Sequence, residues 1–172
     1  LVIALEFGPP NEAVEWAQQV ASDHLDHKMI LLTHSYTSRS GGRSLSPMNY
    51  AIAEDPNTTV NTSASLWEKL LRTQPNSFLV VSGHTSPDLP VVPYGFGRNA
   101  YGQSVYELLF DWQTQPNGGN GWLGMITFNP DGTLHVRVYS PYLDEWGNYR
   151  DGNGHTSELL IDPERSTVQR IW

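Results

Sequence analysis

Two stretches of the chain are apolar without interruption, Met29-Ile30-Leu31-Leu32 after Lys28 and Phe78-Leu79-Val80-Val81 before Ser82. Short continuous runs of this kind, bounded by turn residues, predict buried strands. A third strand is predicted over Leu1–Glu6 and is stopped by Gly8-Pro9-Pro10. Between the first two strands the period changes. Ala13, Val14, Trp16, Ala17, Val20 and Ala21 recur at helical spacing and are the expected buried face of a helix running to about Asp23. Asn11 is its expected cap, with Glu12 and Glu15 in the first turn, where the helix dipole favours acidic groups. Strand, helix and strand make a β-α-β unit, expected to be parallel and right-handed.

Residues 35–62 carry little periodicity, and a loop of that length in a compact domain is usually functional or mobile. Ser65-Leu66-Trp67-Glu68 has the capping-box pattern and predicts a second helix that buries Leu66, Trp67, Leu70 and Leu71. Past residue 85 the character shifts. Pro87, Pro90, Pro93 and the glycines of Tyr94-Gly95-Phe96-Gly97 predict an irregular passage. Ser104–Gln113 reads as a strand, although Val105–Leu109 is also compatible with a helical turn. Asn129-Pro130-Asp131-Gly132 predicts a hairpin between Trp122–Phe128 and Leu134–Ser140. In its second arm Leu134, Val136 and Val138 face one way, and His135, Arg137 and Tyr139 the other. A last strand is expected over Glu158–Ile161, after a loop from Asp144 to Thr156. The prediction is an α/β chain, β-α-β-α-β followed by mostly antiparallel strands, with residues 1–172 forming a single domain.

Composition narrows the chemistry. The chain has 172 residues, 38% hydrophobic content and six tryptophans, enough for a proper core. A net charge of −8 argues against a nucleic-acid partner, because nothing would replace the counterions released from phosphates. With no cysteine, thiolate metal sites, disulfides and thiol nucleophiles are excluded. No apolar stretch is long enough to span a bilayer, so no membrane role is expected. The chain opens inside a strand-like run, which is expected of a portion of a larger protein.

The candidate chemistry lies where the two apolar runs end, at Thr33-His34 and Ser82-Gly83-His84. Both imidazoles are expected at the C-terminal ends of their strands, where open α/β sheets gather ligands. Two neutral imidazoles there can share a metal ion. A histidine at a strand end also caps a carbonyl or faces solvent, so each alone carries little weight; equivalent positions on successive strands carry more. Gly83 is expected to let the backbone turn sharply before the second ligand. His24 and His27 sit in a charged turn, His135 on an open sheet face and His155 in a polar turn. Ser35 and Ser86 lie near the two candidate histidines, but no Gly-x-Ser-x-Gly elbow accompanies them. Gly118-Gly119-Asn120-Gly121 lacks the lysine and helix of a phosphate loop and reads as a tight turn. The density of aromatics, among them Phe96, Tyr101, Trp112, Trp122 and Trp146, leaves open a non-catalytic module that stacks sugars. A Ser/His ester hydrolase is a further alternative.

Leu-Glu-Phe-Gly-Pro (5–9), Leu-Leu-Thr-His-Ser-Tyr (31–36), Trp-Glu-Lys-Leu (67–70) and Phe-Leu-Val-Val-Ser-Gly-His (78–84) occur in that order. They are followed by Asp111-Trp112-Gln113, Gly118-Gly119-Asn120-Gly121-Trp122-Leu123 and Val138-Tyr139-Ser140-Pro141. Together these resemble the C-terminal half of bacterial calcineurin-like metallophosphoesterases, from residue 1 to about residue 143. The resemblance implies two sheets sandwiched between helices and a dinuclear centre of divalent transition metal (Mn, Fe or Zn). It also implies hydrolysis of a small phosphorylated substrate by metal-activated water. His34 would match that family's lone strand-end histidine, and Gly83-His84 would open its Gly-His-x-His block. The three preceding ligand blocks of the family are not in this sequence, and Ser86 stands where the second histidine of the last block belongs. A partial metal site with little or no activity in the isolated chain is therefore expected. Arg39, Arg43 or Arg98 would be available to phosphate. An exposed sheet edge is expected to favour homo-oligomers.

Overall fold

A computed structural model describes residues 1–44 and 60–171. The fold is mixed α/β, with two five-stranded sheets and few helices. Contacts divide the chain into two compact units, Leu1–Thr85 with Tyr94–Leu109, and Ser86–Pro93 with Phe110–Trp172.

The first unit contains β1 (Val2–Leu5), α1 (Asn11–Asp23), β2 (Met29–Thr33), α2 (Ser63–Leu66), β3 (Ser77–Ser82), β4 (Tyr94–Arg98) and β5 (Ser104–Leu109). The sheet order is β1-β2-β3-β5-β4. The first four of these strands are parallel, and β4 alone runs antiparallel at one edge. β3 lies in the middle and is buried over nearly its whole length, which explains its unbroken apolar run. Ile3, Leu31 and Val80 from the sheet pack with Val14, Ala17 and Ala21 of α1 and with Leu66, Leu70 and Leu71.

Several local expectations are revised. Asn11 does not cap α1. Pro10 occupies the cap position without a side-chain bond, and the Asn11 Oδ1 atom instead accepts from Lys69 Nζ at 2.7 Å. Trp16 is 54% exposed: it lies two residues, about 200° of helix, from Val14. The second helix begins earlier than the capping box implies, with Thr62 accepting from the Ser65 N–H. It then widens over Trp67–Leu71 into a π-helical segment, with Arg72 N–H bonded to Trp67 O. The passage expected to be irregular holds strand β4, and residues 104–109 are strand rather than helical turn.

The second unit is antiparallel. Its strands are β6 (Leu123–Phe128), β7 (Leu134–Ser140), β8 (Glu145–Trp146), β9 (Glu158–Asp162) and β10 (Thr167–Arg170), ordered β10-β9-β7-β6 with β8 paired to β7. The β6–β7 hairpin pairs Phe128 with Leu134 across the predicted turn, whose Gly132 has φ 84°. β7 alternates as its sequence requires: Leu134, Val136 and Val138 are buried, while His135, Arg137 and Tyr139 are half-buried. Strands β8 and β10 are additional to the sequence reading.

Candidate functional site

β2 and β3 are parallel neighbours, with Leu32 beside Val81, so both strands end at the same edge of the sheet. The residues that follow are His34 and Gly83-His84. Their imidazoles meet: His34 Nε2 lies 3.0 Å from His84 Nδ1, and the ring centroids are 4.9 Å apart. Two backbone ties lock the strand ends together. Gly83 N–H donates to His34 O at 3.0 Å, and Thr37 N–H donates to Ser82 Oγ at 3.0 Å.

The sharp turn expected of Gly83 falls on His84 itself, which has φ 72°. Thr85 N–H reaches back to Gly83 O at 3.0 Å, a three-residue γ-turn centred on the histidine. Left-handed backbone is costly for a residue with a Cβ, and such strain concentrates where the surroundings over-determine a side chain's position. Here it aims Nδ1 of His84 at His34.

A third strand end contributes a residue with no polar signal in the sequence. Phe7, just beyond β1, packs its ring 4.5 Å from the His34 ring and 4.9 Å from the His84 ring, centroid to centroid. Thr33 Oγ1 donates to Glu6 O at 3.2 Å and ties this end to β2. Phe7 is an apolar residue two positions past β1, as His84 is two past β3 and His34 one past β2.

The loop leaving His34 is clamped from below. Tyr36 is fully buried, and its hydroxyl donates to Glu107 Oε1 at 3.3 Å. Arg43 meets the same carboxylate through Nη2 at 2.7 Å and Nε at 2.9 Å, and its guanidinium lies 3.8 Å from the centroid of the Trp67 ring. Burial raises the Glu107 carboxyl above the ordinary carboxylate range despite the guanidinium beside it. Burial, together with the charge of Glu107, also raises the Tyr36 phenol, which stays protonated and donates. Arg43 is therefore spent on a structural ion pair and is not an anchor for phosphate. Arg98 Nη1 bonds Gly102 O at 2.9 Å.

The remaining sequence candidates fall elsewhere. His24 and His27 are exposed, bonded to Val20 O and Asp26. His135 Nε2 pairs with Glu158 Oε1 at 2.5 Å, and His155 is buried. The Ser35 side chain is buried. The Ser86 hydroxyl lies 3.3 Å from Asp111 O and 2.8 Å from Thr114 Oγ1.

The chemistry of His34 and His84 is that of two soft-to-borderline nitrogen donors facing one another. Only one hydrogen fits between the facing nitrogens, so the pair is either a hydrogen bond or a bidentate site for something that replaces the proton. Nitrogens held about 2.0–2.1 Å from one tetrahedral ion lie about 3.3 Å apart, so the observed 3.0 Å is hydrogen-bond spacing that a shift of about 0.3 Å would open to admit an ion. Two donors fall short of a complete shell. Among the described residues no group of three or more His, Asp or Glu side chains is placed to hold a metal ion.

No family model matches the chain. It is 28% identical over 169 residues to the uncharacterized protein YvnB of Bacillus subtilis (strain 168), a match that takes in 94% of this chain and 12% of that protein. The chain thus spans about an eighth of the length of the relative it matches.

Proposed function

We propose that this chain is the C-terminal portion of a metal-dependent phosphoesterase domain, in which His34 and His84 ligate a divalent transition metal, Mn, Fe or Zn. The observation that carries the reading is the 3.0 Å approach of His34 Nε2 and His84 Nδ1 at the C-terminal ends of adjacent parallel strands. The small fraction of YvnB that the chain matches is consistent with carboxylate ligands supplied by another part of a longer polypeptide.

A metal bound here would contribute Lewis-acid polarisation of a phosphoryl oxygen and activation of a coordinated water. The chain's own residues hold the two imidazoles in register through the Gly83–His34 and Thr37–Ser82 bonds. Phe7 covers one side of both rings with an apolar surface. The substrate in this reading is a small phosphomonoester or phosphodiester.

Calorimetric titration of the isolated chain with Zn²⁺ and Mn²⁺ is expected to show one weak site, lost in both His34→Ala and His84→Ala. Hydrolysis of bis-p-nitrophenyl phosphate by the isolated chain is expected to stay near background. Unchanged metal binding in both variants refutes the ligand assignment. Rapid metal-dependent hydrolysis by the isolated chain, abolished by His84→Ala, refutes the view that the site needs further ligands.

Self-association through the β1 edge belongs to the same proposal. β1 is an edge strand among the described residues, Val2 is 59% exposed, and Leu32 of the neighbouring strand is 38% exposed. A concentration-independent monomer in size-exclusion chromatography would count against it.

A further inference from the structure

The second unit carries a cleft that the phosphoesterase reading does not use. It is open, encloses about 420 Å³, and is lined by Phe110–Gln113 on one side and by Gly118–Gly119 and Gly121–Gly124 on the other. That volume lies within the range of small-molecule sites.

One wall is almost bare backbone, for a local reason. Asn117, Gly118, Gly119, Asn120 and Gly121 have φ of 56°, 71°, 117°, 48° and 69°, a continuous left-handed run. It is closed by Gly119 N–H to Gln115 O at 3.0 Å and Asn120 N–H to Pro116 O at 2.8 Å. Glycine and asparagine are the residues that adopt this backbone most readily, so the composition follows from the geometry. A Cβ on Gly118 would meet nothing within 4 Å, so the wall stays open there.

The rest of the lining is largely aromatic, with one carboxylate, Asp111, and one side-chain amide, Gln113. Phe110 lies directly over Gly124, where a Cβ would sit 2.6 Å from the ring. Trp122 is steadied by the edge of Tyr149, with centroids 5.9 Å apart. Asp111 is the one ionisable residue among the described lining, and its carboxylate accepts from the Gln113 backbone N–H at 2.9 Å and from Gln113 Nε2 at 3.0 Å. Among the described lining residues no cationic side chain attracts a phosphate, and the carboxylate is already engaged, which weakens its pull on a cation.

We propose that this cleft binds a neutral saccharide. The aromatic surface that Phe110 and Trp122 contribute to the lining suits the C–H face of a pyranose, and the Asp111 carboxylate, the Gln113 amide and the glycine backbone suit its hydroxyls. The inference stands apart from the phosphoesterase reading, because none of its residues is a proposed metal ligand.

The test is titration of the whole chain, followed by tryptophan fluorescence and calorimetry, with cellohexaose, xylohexaose, chitohexaose and laminarihexaose, and with AMP and a decaproline peptide as contrasts. At least one hexasaccharide is expected to bind saturably. Trp122→Ala should weaken that binding at least tenfold, Trp122→Phe should restore most of it, and Gln113→Ala should weaken it severalfold. Chelator and His84→Ala should leave it unchanged, which separates this outcome from any result on the metal site. The proposal is overturned if no hexasaccharide binds, if neither Trp122→Ala nor Gln113→Ala alters binding in folded protein, or if AMP or decaproline binds in preference.

Discussion

Replacing His84 once by alanine and once by glycine isolates the backbone strain at the candidate site from the loss of its imidazole. Both variants lose the ring and its contacts with Phe7 and His34 equally, so those contacts cancel in the comparison. What remains is the φ of 72°. An L-residue in left-handed backbone costs roughly 1–2 kcal/mol. Glycine is disfavoured against alanine by only about 0.4–1 kcal/mol through the unfolded chain. The glycine variant is therefore expected to be the more stable by about 0.5–1 kcal/mol, a reversal of the usual order. Equilibrium urea unfolding followed by circular dichroism reads this directly. With a slope of about 2 kcal/mol per molar urea, the midpoints should differ by roughly 0.3–0.5 M. Gln19, exposed in the interior of α1, supplies the opposite sign. There Gln19→Ala should be more stable than Gln19→Gly by about 1 kcal/mol. If alanine matches or exceeds glycine at position 84, the turn is not strained and the argument that the fold aims this imidazole fails.

Gly97→Ala would place a Cβ 2.4 Å from Arg43 Nη2 and 2.5 Å from Trp67 Cη2. Overpacking of this kind costs about 1–3 kcal/mol, and thermal unfolding should shift down by roughly 2–10 °C. Glu107→Gln removes the charge facing Arg43, but because burial outweighs the guanidinium at this carboxyl the expected cost is only that of a weakened hydrogen bond, about 0.5–1.5 kcal/mol. The pH dependence follows from the raised Glu107 carboxyl. A folded-state value above the unfolded one, about 4.3, gives stability that is complete below the unfolded value and is lost as pH rises through the folded one. Wild-type stability minus that of Glu107→Gln should therefore shrink from pH 4 upward. A difference that grows over that interval would show that Arg43, not burial, dominates the carboxyl.

The two kinds of sheet were legible along the chain because burial leaves a local trace. A strand covered on both faces, Ser77–Ser82, is apolar from Phe78 to Val81, whereas one covered on a single face, Leu134–Ser140, alternates. The ends of the runs also placed His34 and His84 at strand tips. Strand β4 left no such trace. Gly95 and Gly97 look like breakers, yet a Cβ on Gly95 would lie 2.3 Å from Gly41 O, and one on Gly97 would strike Trp67. Glycine within a strand often marks this close approach of other groups, which no local window can see.

By itself the sequence determined where most of the strands and the first helix lie, which face of β7 is buried, and that two imidazoles follow apolar strands, because each of these is written in the spacing of residues a few positions apart. Only the tertiary structure decided that the two rings face each other at 3.0 Å, that Phe7 joins them, that Arg43 is consumed by Glu107, and that the left-handed turn falls on His84 rather than on the glycine before it. Those outcomes depend on strand register and loop closure over some 50 to 80 residues, and periodicity carries no information about either.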